Sequence, residues 1–149
     1  MSLRTVLTIL ERDPAVVAPL VAHYAPRVEF CEIRVDPWED AKDISRVLDA
    51  VRSPVIVTCR HPDEGGWRDH HRKREKALRR AVSDGVAFVD VEARFPVRLP
   101  RGDGSYTGHS PTGVIVSWHD YNGMPPDIEG LAARLVDERE RDSDLVKLA

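Results

Sequence analysis

The 149-residue chain is 42% apolar and 32% charged, with a formal net charge of −3. That length accommodates one domain with a sizeable core and is short for two, and the composition excludes disordered and membrane classes. The acidic balance argues against general nucleic-acid affinity, and two cysteines, Cys31 and Cys59, are too few and too distant in sequence for a disulfide scaffold or a zinc site.

The first apolar run, "TVLTIL", is cut off by Glu11, Arg12 and Asp13, so it is neither a signal peptide nor a spanning helix. It reads as a strand over 4–10. Asp13-Pro14 then supplies an N-cap followed by proline at the first helical position, and Pro19 is expected to kink or shorten that helix. A second strand covers 28–35, and Ile44, Val47, Leu48 and Val51 place one apolar stripe on a second helix. A third strand covers 54–59, followed by a helix over 68–83 that Gly85 stops. The fourth strand covers 86–91. The stretch 93–112, "ARFPVRLPRGDGSYTGHSPT", has too much proline and glycine for a regular helix and predicts an irregular crossover with a short hairpin around "RGDGS". A fifth strand covers 114–118, a fourth helix begins near Pro126 with Ile128, Leu131, Ala132 and Leu135 on one stripe, and "DLVKLA" forms a sixth strand. Strand followed by helix, repeated, implies parallel strands with right-handed crossovers in a single α/β domain over 1–149.

Strand residues two apart share a face. By that parity Glu32, Arg34 and Asp36 face one way while Cys31, Ile33 and Val35 face the other. Arg60 lies on the side of Thr58, Asp90 with Glu92, Ser117 with His119, and Lys147 with Leu145 and Ala149. Five successive strands therefore end, on one parity, in an ionisable side chain. Parallel α/β architectures put ligand sites at the carboxyl ends of their strands.

The set suits a particular chemistry. A lysine on a buried strand among apolar residues loses proton affinity and becomes a nucleophilic amine that forms a Schiff base with a ketone. A histidine oriented by a carboxylate such as Glu92 moves the proton that the imine acidifies. Paired arginines hold a carboxylate or hydroxyl-rich substrate. Elimination of water from a β-hydroxy ketone needs these groups.

In order and approximate spacing, "CEIRVD", "PVIVTCRHPDEGG", "FVDVE", "VIVSWHDYNGMPP" and "DLVKLA" resemble type I 3-dehydroquinate dehydratase. The resemblance implies a (β/α)8 TIM-barrel fold, present here as an incomplete barrel of about six parallel strands with one irregular, non-helical crossover. It implies a lyase of the shikimate pathway and aromatic amino acid biosynthesis, converting 3-dehydroquinate to 3-dehydroshikimate with no metal and no cofactor. Carried over by position, Lys147 is the Schiff-base lysine, His119 the general acid/base and Glu92 its orienting carboxylate. Glu32, Arg34 and Arg60 contact substrate oxygens, and Thr8 stands where the family often has a serine. The resemblance implies a homodimer acting on a small molecule. The two cysteines fit a cytoplasmic protein with reduced thiols, and the charge balance and broken apolar run leave no nucleic acid or membrane partner expected. An eight-stranded barrel needs about 200 to 250 residues, so the last two strands are expected to be missing, with open edges on strands one and six and activity well below that of a complete enzyme. A non-catalytic barrel remnant serving as an interaction domain, or a Schiff-base aldolase, are the competing readings.

Other features have plainer readings. "HHRKREKALRR" reads as a solvated helix face packed by Ala77, Leu78, Ala81 and Val82, and adjacent His70 and His71 diverge too far to share a metal. "DEGG" reads as a turn and, by the resemblance, as a loop beside the site. Trp38 and Trp67 read as packing residues, and Cys31 and Cys59 as core thiols.

Overall fold

The computed structural model describes residues 5–40, 42–51, 53–67, 71–95, 97, 99, 112–123, 125–142 and 144–149, the side chains of 136 and 138–142 excepted. Six strands form one parallel sheet in chain order: β1 (Val6–Ile9), β2 (Phe30–Arg34), β3 (Val55–Thr58), β4 (Phe88–Glu92), β5 (Gly113–Trp118) and β6 (Leu145–Leu148). Four helices return the chain between them: α1 (Pro14–Tyr24), α2 (Lys42–Ala50), α3 (His71–Ser83) and α4 (Ile128–Asp142). The result is the expected open segment of an α/β barrel. β1 and β6 form its two edges, where Val6, Leu10, Leu145 and Leu148 are exposed.

Local chemistry accounts for the elements. β3 is a continuous Val-Ile-Val-Thr run, and all four residues are buried, as befits a strand covered on both faces. α1 starts where the Asp13 carboxylate accepts the Ala15 N–H at 2.9 Å and Pro14 supplies a preset φ. It then runs on past Pro19 to Tyr24, contrary to the expected shortening. Pro19 removes the bond that would reach back to Ala15, and burial of Val17 and Val21 holds the helix through that gap. α2 buries Ile44 and Val47, and α3 buries Ala77, Leu78 and Ala81. Gly85, at φ 74°, follows α3 with the left-handed turn that releases the chain into β4.

The two faces of the sheet differ sharply. Toward the helices, Cys31, Ile33, Val35, Val57, Cys59, Val89 and Val91 join one apolar core with residues of α1, α2 and α3. Toward the inside, Glu32, Thr58, Asp90 and Ser117 are all buried and polar. Parallel register staggers these residues: Thr8 pairs with Glu32, Arg34 with Thr58, Thr58 with Asp90, Glu92 with Ser117, and Ser117 with Lys147. Each strand thus delivers its polar residue to the same mouth. Most of the predicted irregular crossover, including "RGDGS", lies outside the described residues; Val97 and Leu99, within it, pack on the core. No helix among the described residues is long and apolar enough to cross a membrane.

Candidate active site

Arg60 lies at the centre of the mouth, just beyond the end of β3, and is 2% exposed. It donates to both carboxylate oxygens of Asp90, at 3.0 and 2.9 Å, and to the Ser117 hydroxyl at 2.6 Å, which in turn donates to Asp90. Glu32, Glu64 and Glu92 stand 3.8, 3.9 and 4.0 Å from its nitrogens. Arg60, expected on substrate, thus has its guanidinium paired with protein carboxylates. Burial opposes its charge, but Asp90 first and then Glu92 and Glu32 more than reverse this, and the group stays cationic.

Glu32 accepts Thr8 Oγ1 at 2.7 Å and Thr58 Oγ1 at 2.6 Å, and Lys147 Nζ lies 3.4 Å from it. Burial raises the Glu32 pKa. The charge of Lys147, the two hydroxyl hydrogen bonds and Arg60 outweigh burial and hold it below its ordinary 4.5. Lys147 also lies 3.5 Å from Asp90. Its side chain is 35% exposed on the edge strand β6 and ion-paired, which corrects the expectation of a lysine enclosed by apolar residues. Arg34 is fixed by a two-point bond to Asp36, at 2.7 and 2.9 Å, and donates to the Gly65 carbonyl at 3.0 Å.

His119, just past the end of β5, is held by Glu64. The carboxylate Oε2 lies 3.1 Å from His119 Nδ1 and accepts the His119 backbone N–H, also at 3.1 Å. Glu92, expected to orient this histidine, points elsewhere. One of its oxygens accepts the His61 N–H at 2.6 Å and the other pairs with Arg74. Strand parity misled here because Glu64 is not on a strand. It sits in a 3-10 turn (Pro62–Glu64) after β3, yet it is completely buried, and its Oε1 has no protein partner among the described residues. The available signal was the run Arg60-x-x-x-Glu64-Gly-Gly, whose paired glycines mark a turn that folds back.

Both glycines are needed for that turn. Gly65 takes φ 80°, and a Cβ on Gly66 would stand 1.9 Å from the Arg60 carbonyl oxygen. Gly66→Ala is expected to destabilise the chain by about 3 kcal/mol or more, since backbone faces the added methyl. The urea midpoint measures this; an unchanged midpoint would show that the turn relaxes freely.

The remaining expectations divide. Trp38 is buried, its indole donating to the Glu11 carbonyl at 2.8 Å, whereas Trp67 is exposed with Arg12 stacked 4.2 Å above its ring. Cys31 and Cys59 are buried in the core, and burial pushes the Cys59 thiol up to about 12. Among the described residues no group of three or more metal-ligating side chains converges.

A profile described as type I 3-dehydroquinase matches residues 8–149. The chain belongs to the type I 3-dehydroquinase family. A 3-dehydroquinate dehydratase of Methanococcus maripaludis is 29% identical over 127 residues, covering 81% of this chain and 55% of that protein. Another, of Aromatoleum aromaticum, is 28% identical over 161 positions, covering 93% and 62%. The chain therefore spans little more than half the length of such relatives. Among solved structures, a type I 3-dehydroquinate dehydratase of Clostridium difficile, with covalently modified comenic acid, superposes with a TM-score of 0.77. At 21% identity over 96% of this chain and 61% of that one, it shows the shared fold. The family includes lyases by the names of its members, and the open six-stranded sheet is part of its barrel.

Proposed function

We propose that this chain carries the imine-forming site of a 3-dehydroquinate dehydratase. One observation carries the reading: Lys147 and the His119–Glu64 pair stand at the carboxyl ends of adjacent strands and share one carboxylate network around Arg60. The names of the related dehydratases supply the substrate, 3-dehydroquinate.

In this reading Lys147 Nζ, once it has yielded a proton, adds to the ketone carbon and the carbonyl oxygen leaves as water. The resulting iminium withdraws electrons from the adjacent carbon, and the neutral imidazole of His119 takes the proton there. The electrons of the resulting enamine form the new carbon–carbon double bond and regenerate the iminium as the C–O bond one carbon further breaks. The imidazolium gives its proton to the departing hydroxide, which leaves as water. Hydrolysis of the conjugated iminium returns the Lys147 amine and 3-dehydroshikimate. The imine is the electron sink, so the sequence of steps calls on no metal or cofactor. Glu64 stabilises the imidazolium between its two proton transfers. Thr8, Glu32 and Arg34 line the mouth where substrate hydroxyls and carbonyl dock. Arg60, at the centre of that mouth, holds the surrounding carboxylates and offers its remaining N–H groups to substrate oxygens. A homodimer in the cytoplasm, where Cys31 and Cys59 stay reduced, completes the reading.

Incubation with 3-dehydroquinate and borohydride, followed by peptide mass analysis, tests it. A reduced adduct on the peptide containing Lys147 is expected. A folded chain that gives no adduct, or one that persists in Lys147→Met, overturns it.

A further inference from the structure

Two buried ionisable groups, Glu92 and Arg74, have no part in the chemistry above, yet their contacts converge on the turn that carries Glu64. We propose that the Glu92–Arg74 pair is a positioning latch. It fixes the 61–66 turn, and so sets Glu64 against His119.

The contacts form a closed path. Glu92 comes from the end of β4 and takes the His61 N–H at 2.6 Å, the first amide of the turn. Its second oxygen is held by Arg74 of α3. Arg74 also donates from Nε to the Cys59 carbonyl at 3.1 Å, and from a terminal nitrogen to the Phe95 carbonyl at 3.4 Å. The Phe95 ring stacks on the His61 ring with centroids 3.6 Å apart and planes 15° from parallel. The turn is therefore gripped at its entry by a charge-assisted acceptor and an aromatic partner, both supplied from β4 and the segment after it.

Inside the turn the grip is passed on. The His61 carbonyl accepts the N–H groups of Glu64 at 3.0 Å and Gly66 at 2.8 Å, so displacing His61 displaces both. Glu64 then meets the His119 backbone and ring together. Such a two-point contact tolerates little movement, because a hydrogen bond weakens steeply with distance and angle. Arg74 lies on the apolar stripe of α3 with Ala77, Leu78 and Ala81, which ties helix packing to the geometry of the histidine.

This inference rests on the reading of His119 as the acid–base group with Glu64 as its partner, but its test needs no substrate. The charged groups around the pair are Arg60, 3.9 Å from Glu64, and Asp120, adjacent to His119 in sequence and 3.5 Å from Arg94; Lys147 approaches from β6 through Glu32. The His119 imidazole is followed by NMR in the 149-residue chain with labelled histidine. Glu64→Gln is expected to move the His119 backbone amide and ring nitrogen signals, because the Glu64 carboxylate contacts both. The double variant Glu92→Leu/Arg74→Met removes one charge of each sign. Its own electrostatic effect on His119 is therefore small, and buried ion pairs often tolerate apolar replacement of similar size.

A latch predicts that this double variant moves the same signals toward the Glu64→Gln positions, by about half that displacement or more, since the contact weakens steeply with distance and angle. Adding Glu64→Gln to it then moves them little further. Unmoved signals in the double variant, or a full additional displacement on adding Glu64→Gln, overturn the proposal. If the double variant does not fold, Glu92→Gln is substituted in the same cycle. Its effect must vanish in the Glu64→Gln background if it acts through Glu64, and must persist there if it acts only as a distant charge. Failure of the borohydride trap would count against Lys147 chemistry and leave this NMR result standing.

Discussion

Arg60→Met is expected to lower the unfolding free energy of the chain by about 3–5 kcal/mol at neutral pH, the cost of leaving buried charges uncompensated. Domains of this size have about 5–15 kcal/mol in total, so the variant should approach the edge of folding. The cause is concentration of charge. Asp90 loses its two-point partner and Ser117 loses a donor, while Glu32, Glu64 and Glu92 lose the cation within 4.0 Å that offsets their mutual repulsion. Lys147 and Arg74 remain, but each sits at one side of the group.

Acid should separate charge from packing. In the unsubstituted chain the folded pKa of Glu32 lies below its unfolded value, so its contribution is fully present above 4.5 and fades as pH falls through the folded value. In Arg60→Met Glu32 loses one of the cations that hold its pKa down, so the part of the destabilisation carried by its charge fades as pH falls. The difference between the two urea-unfolding free energies should therefore narrow between pH 7 and pH 4. An equal difference at both values would assign the loss to the missing aliphatic stem instead.

How much of this was legible in the sequence depended on whether a residue lies on a regular element. Strand parity placed Glu32, Thr58, Asp90 and Ser117 on one face and Cys31, Ile33 and Val35 on the other, because alternation along a strand is geometric and survives any tertiary context. Parity says nothing once the strand stops. Glu64 lies six residues beyond β3, inside a turn that returns to the site, whereas Glu92, on a strand and of the right charge, is the carboxylate that parity points to. Arg74 was hidden differently. Its neighbours Arg72, Lys73 and Lys76 make the segment read as solvated, although helical spacing puts Arg74 with Ala77, Leu78 and Ala81 on the buried stripe. The ion pairing of Lys147 with Glu32 and Asp90 also escaped the local pattern, which shows only its apolar neighbours, although strand six was expected at an open edge.

The largest effect on catalysis is expected at Lys147, and its form distinguishes two ways of losing turnover. In Lys147→Met the thioether has the reach of the lysine stem but no amine. Both the borohydride adduct and dehydration of 3-dehydroquinate should be lost together, because every later step acts on the imine. His119→Asn should behave differently. Lys147 keeps its contacts with Glu32 and Asp90, at 3.4 and 3.5 Å, neither of which involves the imidazole. Imine formation should therefore persist, while turnover falls by about 10²–10⁴-fold, the usual contribution of a positioned acid–base group. Adduct yield by mass spectrometry and product formation by its ultraviolet absorbance are measured on the same samples. Loss of the adduct in His119→Asn would place the histidine in imine formation as well as in proton transfer. Residual dehydration in Lys147→Met at the level of the unsubstituted chain would remove the amine from the mechanism altogether.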